Sequence, residues 1–556
     1  MTRYKSILFF VFLLFVFSFF SCSGQSLRQG AYLELNLNES RGNGFFTLTK
    51  QPLEIFRVIE RAASDDRVRG IILNIGSFSG SRDYLWELRS ALEQFKKGGK
   101  KIIAFISYAD MDTYLLASAS DQIVMDELGT LSLMGYSMGR GYVKNTLEKL
   151  GIGVRELRCF EYKSAMEMFT RDSFSQADKK QYSDYLDDIF NLTKNTLINA
   201  RNWTNEDFDR IFNNEFIFSA KSAKAGKLVD HIGRADAVLK AVNEIENEEI
   251  KKFYLYGNSA SSLTGSLKIY SSSNSGSSVI AVVYAEGQTD MEMGMAAAGL
   301  SRTIRDLADN KRVAAIVLRV NSPGGSAEAA DYIDEAVRYA KQNKPVVVSM
   351  GSVAASGGYW AAMNASHIVC NPYTITGSIG VIGNWFYDNG LSAKLGFSTD
   401  VIKRGEHSDL YTGFLFPYRD LTGAEEERYK QYILDVYSMF TEKVAAGRGM
   451  EIDKVHEAAQ GRIYSGIRAL EAGLTDSVGG LSDAIRIARN MAEIPEDKKT
   501  IYRKYPEPTF MERFMGNLSS SKIEYSLIDL LLPDTDIRYR LMKNGHVMPI
   551  LPLEFY

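Results

Sequence analysis

The strongest constraint on this 556-residue chain is an internal repeat: residues 68–169 recur without a gap as residues 313–414. Leu150-Gly151 aligns with Leu395-Gly396, Tyr114 with Tyr359, Ile123-Val124 with Ile368-Val369, Gly135 with Gly380 and Phe169 with Phe414, each pair 245 positions apart (313 − 68). The duplication predicts two domains of one design, and the length is too great for one ordinary core. Within this frame the copies have lost complementary residues. Ser356, in Ala354-Ala355-Ser356-Gly357-Gly358-Tyr359, falls opposite Met111, and Lys163, in Phe160-Glu161-Tyr162-Lys163-Ser164, falls opposite Ser408. One copy offers a serine and the other a lysine.

Each copy opens with a strand-like run, Ala31 to Leu37 in the first and Val279 to Tyr284 in the second. A helical stretch, a second strand (Gly70 to Ile75; Ala314 to Val320), a glycine or serine turn, an amphipathic helix (Tyr84 to Lys97; Ala327 to Gln342) and a third strand (Lys101 to Ile106; Pro345 to Met350) follow. Strands alternating with helices of this length predict βαβ units and mainly parallel sheets, an α/β class. Both halves continue into a long helix (Gln176 to Arg201; Ala424 to Arg448) and a short echo, Ala225-Gly226 with Asp230 matching Ala472-Gly473 with Asp476. The predicted organisation is an N-terminal signal or anchor (1–25), a lysine-bearing repeat (26–256), a Ser/Gly-rich linker (257–278), a serine-bearing repeat (279–492) and a tail (493–556). The tail has no counterpart in the first half.

Composition narrows the function. A net charge of −3 leaves no basic excess for a phosphate backbone, which argues against a nucleic-acid partner. Arg3 and Lys5 precede an apolar run from Ile7 to Phe20, about 14 residues against the ~20 needed to span a bilayer. Cys22 follows in a context that loosely resembles a lipoprotein cleavage site. A lipidated Cys22 and a short uncleaved anchor both put the body of the chain outside the cytoplasm, tethered to a membrane. Cys159 and Cys370 provide no disulfide framework and read as two buried thiols. His231, His367, His407, His456 and His546 show no metal-ligand spacing, so no metal is expected.

In the second copy the strand ending at Val320 runs into Asn321-Ser322-Pro323-Gly324-Gly325-Ser326. Paired glycines after a buried parallel strand can expose backbone N–H groups to an oxyanion, although a βα turn with no ligand reads the same way. Small residues flank Ser356, which suits a nucleophile that a peptide must approach, and suits a helix-capping serine equally. The first copy discriminates between these: it has Gly76-Ser77-Phe78-Ser79-Gly80-Ser81 at the turn and Met111 at the serine, so the small-residue pattern is not a requirement of the fold. No histidine sits in a motif for a base, and His407, between Glu406 and Ser408, reads as a solvated loop residue. A lysine can deprotonate serine only when neutral, which requires apolar burial. Lys163 has Phe160, Tyr162, Ala165, Met166, Met168 and Phe169 as neighbours.

Asn321-Ser322-Pro323-Gly324-Gly325, Ala355-Ser356-Gly357-Gly358-Tyr359-Trp360, Thr376-Gly377-Ser378-Ile379-Gly380 and Tyr162-Lys163-Ser164-Ala165 together resemble the long, duplicated form of the signal peptide peptidase A (protease IV) family, from about residue 30 to 490. The resemblance implies tandem crotonase/Clp-protease-like domains with mainly parallel sheets and flanking helices. It implies a Ser/Lys dyad of Ser356 and Lys163, Ser378 hydrogen-bonded to the lysine amine, and an oxyanion hole of N–H groups near Gly325 and Gly357. It further implies apolar peptide substrates such as signal-peptide remnants, no cofactor, a homo-oligomer (a tetramer) and a periplasmic body anchored in the bacterial inner membrane. In short members of the family the lysine follows the serine within one repeat. Here that slot is Ser408, so the site is expected where the two halves meet. Two rival readings are a crotonase-type acyl-CoA enzyme, disfavoured by the extracytoplasmic address and by the lack of a glutamate at the Ser356 slot, and a non-catalytic scaffold that binds hydrophobic peptides.

Overall fold

The computed structural model describes residues 29–37, 52–248, 255–256, 278–495 and 500–505, with Leu27 and Lys498. The anchor segment with Cys22, the linker up to Ser277 and the tail beyond 505 lie outside the described residues. In chain order the strands are β1 (Ala31–Asn36), β2 (Val68–Gly76), β3 (Lys101–Ala109), β4 (Gln122–Ser132), β5 (Ile152–Arg158), β6 (Ile217–Ser219), β7 (His231–Ile232), β8 (Leu255–Tyr256), β9 (Ser278–Glu286), β10 (Val313–Ser322), β11 (Val346–Ala355), β12 (His367–Cys370), β13 (Ile375–Gly377), β14 (Ile382–Asp388), β15 (Ile463–Ser465), β16 (Ser477–Val478) and β17 (Thr500–Tyr505).

The chain forms two compact units. The first comprises residues up to 135 together with 194–275, and the second comprises 136–193 together with 276 onward. In the first unit β4-β3-β2-β1 pair in parallel, extended by β8 beside β1 and by antiparallel β6 beside β4. The second unit repeats the order: β13-β11-β10-β9 in parallel, β17 beside β9, and antiparallel β15 beside β13. The expectation of a tail without a counterpart is therefore corrected, because β17 occupies the position that β8 holds in the first sheet. A two-residue strand is too short to carry a hydrophobic pattern, which hid the equivalence.

Strands covered by helices on both faces are apolar throughout. Val279, Ile280, Ala281, Val282 and Val283 are all buried, as are Ile316, Val317, Leu318 and Val320 of β10. The helix Ala327–Asn343 lays Ala330, Ile333 and Val337 into the same core. The echo after each long helix acts as a clamp. Arg201 binds Asp230, whose carboxylate accepts the Ile123 N–H, and Arg448 binds Asp476, which accepts the Ile368 N–H in the same way.

Residues 136–193, counted by sequence with the first repeat, belong to the second unit. The cause is pairing that no local pattern encodes. β5 runs antiparallel to β14 over its full length, Ile152 opposite Asp388 and Arg158 opposite Ile382. Arg155 of β5 forms ion pairs with Asp420 and Glu426, Leu157 joins the core of the second unit, and Tyr185 donates to the Tyr373 carbonyl at 2.8 Å. Lys163 is thereby carried into the unit that holds Ser356.

Candidate active site

The serine sits where β11 ends. Its φ of 57° and ψ of −115° are outside the regions open to most side chains, a conformation that costs about 1–3 kcal/mol and must be imposed by its surroundings. The Ser356 N–H donates to the Gly377 carbonyl at 2.9 Å and its carbonyl accepts from the Trp360 N–H at 2.8 Å, which fixes the turn. The helix that follows, Gly357–Trp360, has only four residues, so its dipole adds little, and the Ser356 hydroxyl makes no capping hydrogen bond. That observation removes the capping alternative. Gly358 is required, because a Cβ there would lie 2.6 Å from the Ser322 carbonyl oxygen.

Lys163 comes from the loop after β5 and is 1% exposed. Its Nζ lies 2.8 Å from Ser356 Oγ, 2.8 Å from the Ser378 carbonyl oxygen and 2.9 Å from Ser378 Oγ. These three acceptors match the three N–H groups of an ammonium, yet none is an anion. Burial without a counter-charge lowers the lysine pKa from 10.5 to about 7. When neutral, the amine keeps a donor for the Ser378 carbonyl and turns its lone pair to the Ser356 hydroxyl, which then becomes the donor. Ser378 holds a φ of 49°, with its N–H bonded to the Arg462 carbonyl at 2.7 Å.

The lysine stem is confined by glycine. At Gly461 (φ 84°) a Cβ would come within 2.5 Å of the Lys163 Cβ, and at Gly380 one would approach the Lys163 Cδ at 3.4 Å. The lysine loop is anchored by a buried polar network. Ser164 donates to Asp178, Arg140 bridges Asp178 at 2.8 Å and the Ser164 carbonyl at 3.2 Å, and Gln181 donates to the Tyr162 carbonyl while accepting the Ile463 N–H at 3.2 Å. Gly461, Asp178 and Gln181 escaped sequence reasoning because they lie well away from Lys163 and carry no motif of their own.

The glycine turn after β10 completes the site. Gly324 and Gly325 have φ of 104° and 156°, and a Cβ on Gly325 would overlap the Thr289 carbonyl oxygen. Thr289 clamps the turn, its N–H donating to the Gly324 carbonyl at 2.8 Å and its carbonyl accepting from Ser326 N–H at 2.8 Å. The Gly324 N–H is turned to Ser322 Oγ at 3.2 Å. The N–H of Gly325 takes no part in that clamp, and the N–H of Gly357 is one of the orphan donors of a helix start. The two are close: a Cβ on Gly357 would lie 3.3 Å from the Gly325 nitrogen. Two neighbouring amides beside a buried serine can stabilise a carbonyl oxygen as it gains charge.

Other expectations resolve separately. His407 is 55% exposed and bonded to Glu425 at 2.8 Å, apart from the serine–lysine pair. Cys370 is fully buried, its thiol pushed up to about 12 by burial, but Cys159 is only partly covered, which corrects the expectation of two buried thiols. Among the described residues no cluster of three or more His, Cys, Asp and Glu side chains could hold a metal ion. No helix among them is long and apolar enough to cross a membrane.

Comparison with known proteins identifies the family. The model of peptidase family S49 matches the chain twice, at residues 94–249 and 338–495. The chain is 31% identical over 525 residues to "Serine protease SPPA, chloroplastic" of Arabidopsis thaliana, spanning 91% of this chain and 76% of that protein. It is 30% identical over 466 residues to "Protease 4" of Haemophilus influenzae, spanning 80% and 73%. A solved structure of 1510-N, a membrane-bound stomatin-specific protease, aligns with 44% of this chain and all of its own at 16% identity and a TM-score of 0.28. The chain therefore belongs to peptidase family S49, with the duplicated α/β domains and the serine endopeptidase activity of that family.

Proposed function

We propose that the protein is a membrane-tethered endopeptidase that hydrolyses apolar peptides, signal-peptide remnants among them, with Ser356 as nucleophile and Lys163 as general base. The observation that carries this reading is a fully buried lysine amine, with no counter-ion among the described residues, 2.8 Å from the serine oxygen. Lys163 takes the Ser356 proton as Oγ attacks the scissile carbonyl. The N–H groups of Gly325 and Gly357 hold the oxyanion, and Ser378 orients the amine through its hydroxyl and carbonyl. Lys163 then protonates the departing amine, leaving an acyl ester on Ser356. Water, deprotonated by the same lysine, attacks the ester and restores the serine. No metal or organic cofactor enters the cycle.

The short apolar run near the N-terminus supports attachment to a membrane, with Cys22 a candidate lipid site and the catalytic body on the periplasmic side. The duplicated architecture supports assembly with further copies of the chain. Mass spectrometry of the products from a synthetic signal peptide tests activity, mechanism and cleavage preference together. Wild type should cut within the apolar stretch, and Ser356→Ala and Lys163→Ala should leave the peptide intact. Full activity in either variant would sink the mechanism, and cleavage confined to polar peptides would sink the substrate class.

A further inference from the structure

The pairing of β5 with β14 has a twin that one chain leaves unmade. Shifting β14 back by the repeat distance gives residues 137–143 (382 − 245 to 388 − 245), and shifting β5 forward gives residues 397–403 (152 + 245 to 158 + 245). Neither run belongs to a helix or a strand, and neither contains proline. Their exposure shows what is missing. Leu157 of β5 is 1% exposed in the core, whereas the residue at the same place in the second copy, Ile402, is 91% exposed. Nearby Phe397, stacked on Phe414 with ring centroids 4.4 Å apart, and Leu395 are also exposed. On the other run, a Cβ built on Gly139 or Gly141 meets nothing within 4 Å, so that flank is open.

We propose that residues 137–143 of one copy pair antiparallel with residues 397–403 of a second copy, in the register that β14 and β5 use within the chain. The inference rests on the reading that the chain assembles with itself, and it names the surface. Ile382 opposite Arg158 becomes Ser137 opposite Lys403, and Gly383 opposite Leu157 becomes Met138 opposite Ile402. Trp385 opposite Arg155 becomes Arg140 opposite Asp400, and Arg140, like Trp385, turns its side chain inward, where it pairs with Asp178 of its own chain. An isolated apolar residue as exposed as Ile402 is ordinary. One whose counterpart in the other repeat, Leu157, is buried by a strand pair, and whose own missing strand has an open flank elsewhere in the same molecule, calls for that partner. The contact is heterologous, since each copy offers one run and receives the other, so it propagates into a closed ring or a filament rather than an isolated dimer. Contacts within and between chains would then alternate around the assembly.

Cysteine cross-linking of the full-length protein in detergent tests the register. Met138→Cys and Ile402→Cys are made in separately tagged copies, mixed and oxidised, with wild type setting the background from the native cysteines. A disulfide-linked product of two 62.2 kDa chains carrying both tags should form from the mixture and from neither variant alone. Met138→Cys mixed with Phe397→Cys, five residues out of register and so roughly 17 Å apart, should give no product, because a disulfide needs Cα atoms within about 7 Å. Peptide hydrolysis by each variant reports that it is folded. Equal yields from the two mixtures would overturn the register. No product from the first mixture would overturn the interface: if the protein also sediments as a monomer, the assembly reading fails with it, and if it sediments as an oligomer, assembly stands and uses another surface.

Discussion

Lowering the pH should slow hydrolysis by protonating Lys163, and the structure sets where the fall begins. With a pKa of about 7, roughly half of the enzyme carries a neutral amine at pH 7, about a tenth at pH 6 and about a hundredth at pH 5. A solvated lysine would hold only about one amine in three thousand neutral at pH 7. The assay is kcat/KM for an apolar fluorogenic peptide without titratable groups, measured from pH 5 to 9. The expected profile rises tenfold per unit below pH 7 and levels above pH 8. Stability should respond in the same window. The folded pKa is depressed, so between about 7 and 10.5 the unfolded chain binds one more proton and stability rises with pH; below 7 both states are protonated and the slope vanishes. Lys163→Met should therefore stabilise the protein, and its advantage should shrink by about 3 kcal/mol from pH 6 to pH 9, two units above the folded pKa at 1.36 kcal/mol each. A rate profile flat from pH 5 to 9, or still rising steeply at pH 9, would refute the neutral-lysine argument, as would a Lys163→Met advantage independent of pH.

Three further substitutions probe the supports of the site. Gly461→Ala places a Cβ against the Lys163 stem at a φ of 84°; kcat should fall at least 100-fold while Ser356 remains in place, read by steady-state kinetics and thermal melting. Gly325→Ala drives a Cβ into the Thr289 carbonyl and turns an oxyanion donor away, so kcat should drop about 10²–10³-fold with a smaller change in KM. Ser378→Ala removes one of three hydrogen bonds to the amine but leaves the carbonyl, and kcat/KM should fall about tenfold, with the pH midpoint displaced from that of wild type.

Much of the site was legible because duplication provides an internal control. Met111 shows that the fold does without a serine at the Ser356 position, and Ser408 shows the same for the lysine, so their presence in one copy each pointed to chemistry. Strands β2, β3, β10 and β11 were legible from their apolar runs, with ends displaced by a few residues where the backbone continues into the functional turns. The membership of residues 136–193 was not legible, since it depends on antiparallel pairing of β5 with a strand more than two hundred residues away and on Arg155 meeting Asp420 and Glu426. Thr289 and Gly461 were invisible for a related reason. Each acts by close backbone approach to a distant residue, which leaves no periodicity or motif in its own neighbourhood.

The central claim is that Ser356 is acylated by substrate and that Lys163 makes it nucleophilic. Rapid quenching of wild type with a slowly hydrolysed peptide ester, followed by peptide mapping, measures it directly. The acyl group should appear on Ser356, and in Lys163→Met, folded by thermal melting, its rate of appearance should fall by about 10²–10⁴-fold. An acyl group on another residue, or an undiminished rate in Lys163→Met, would contradict the account.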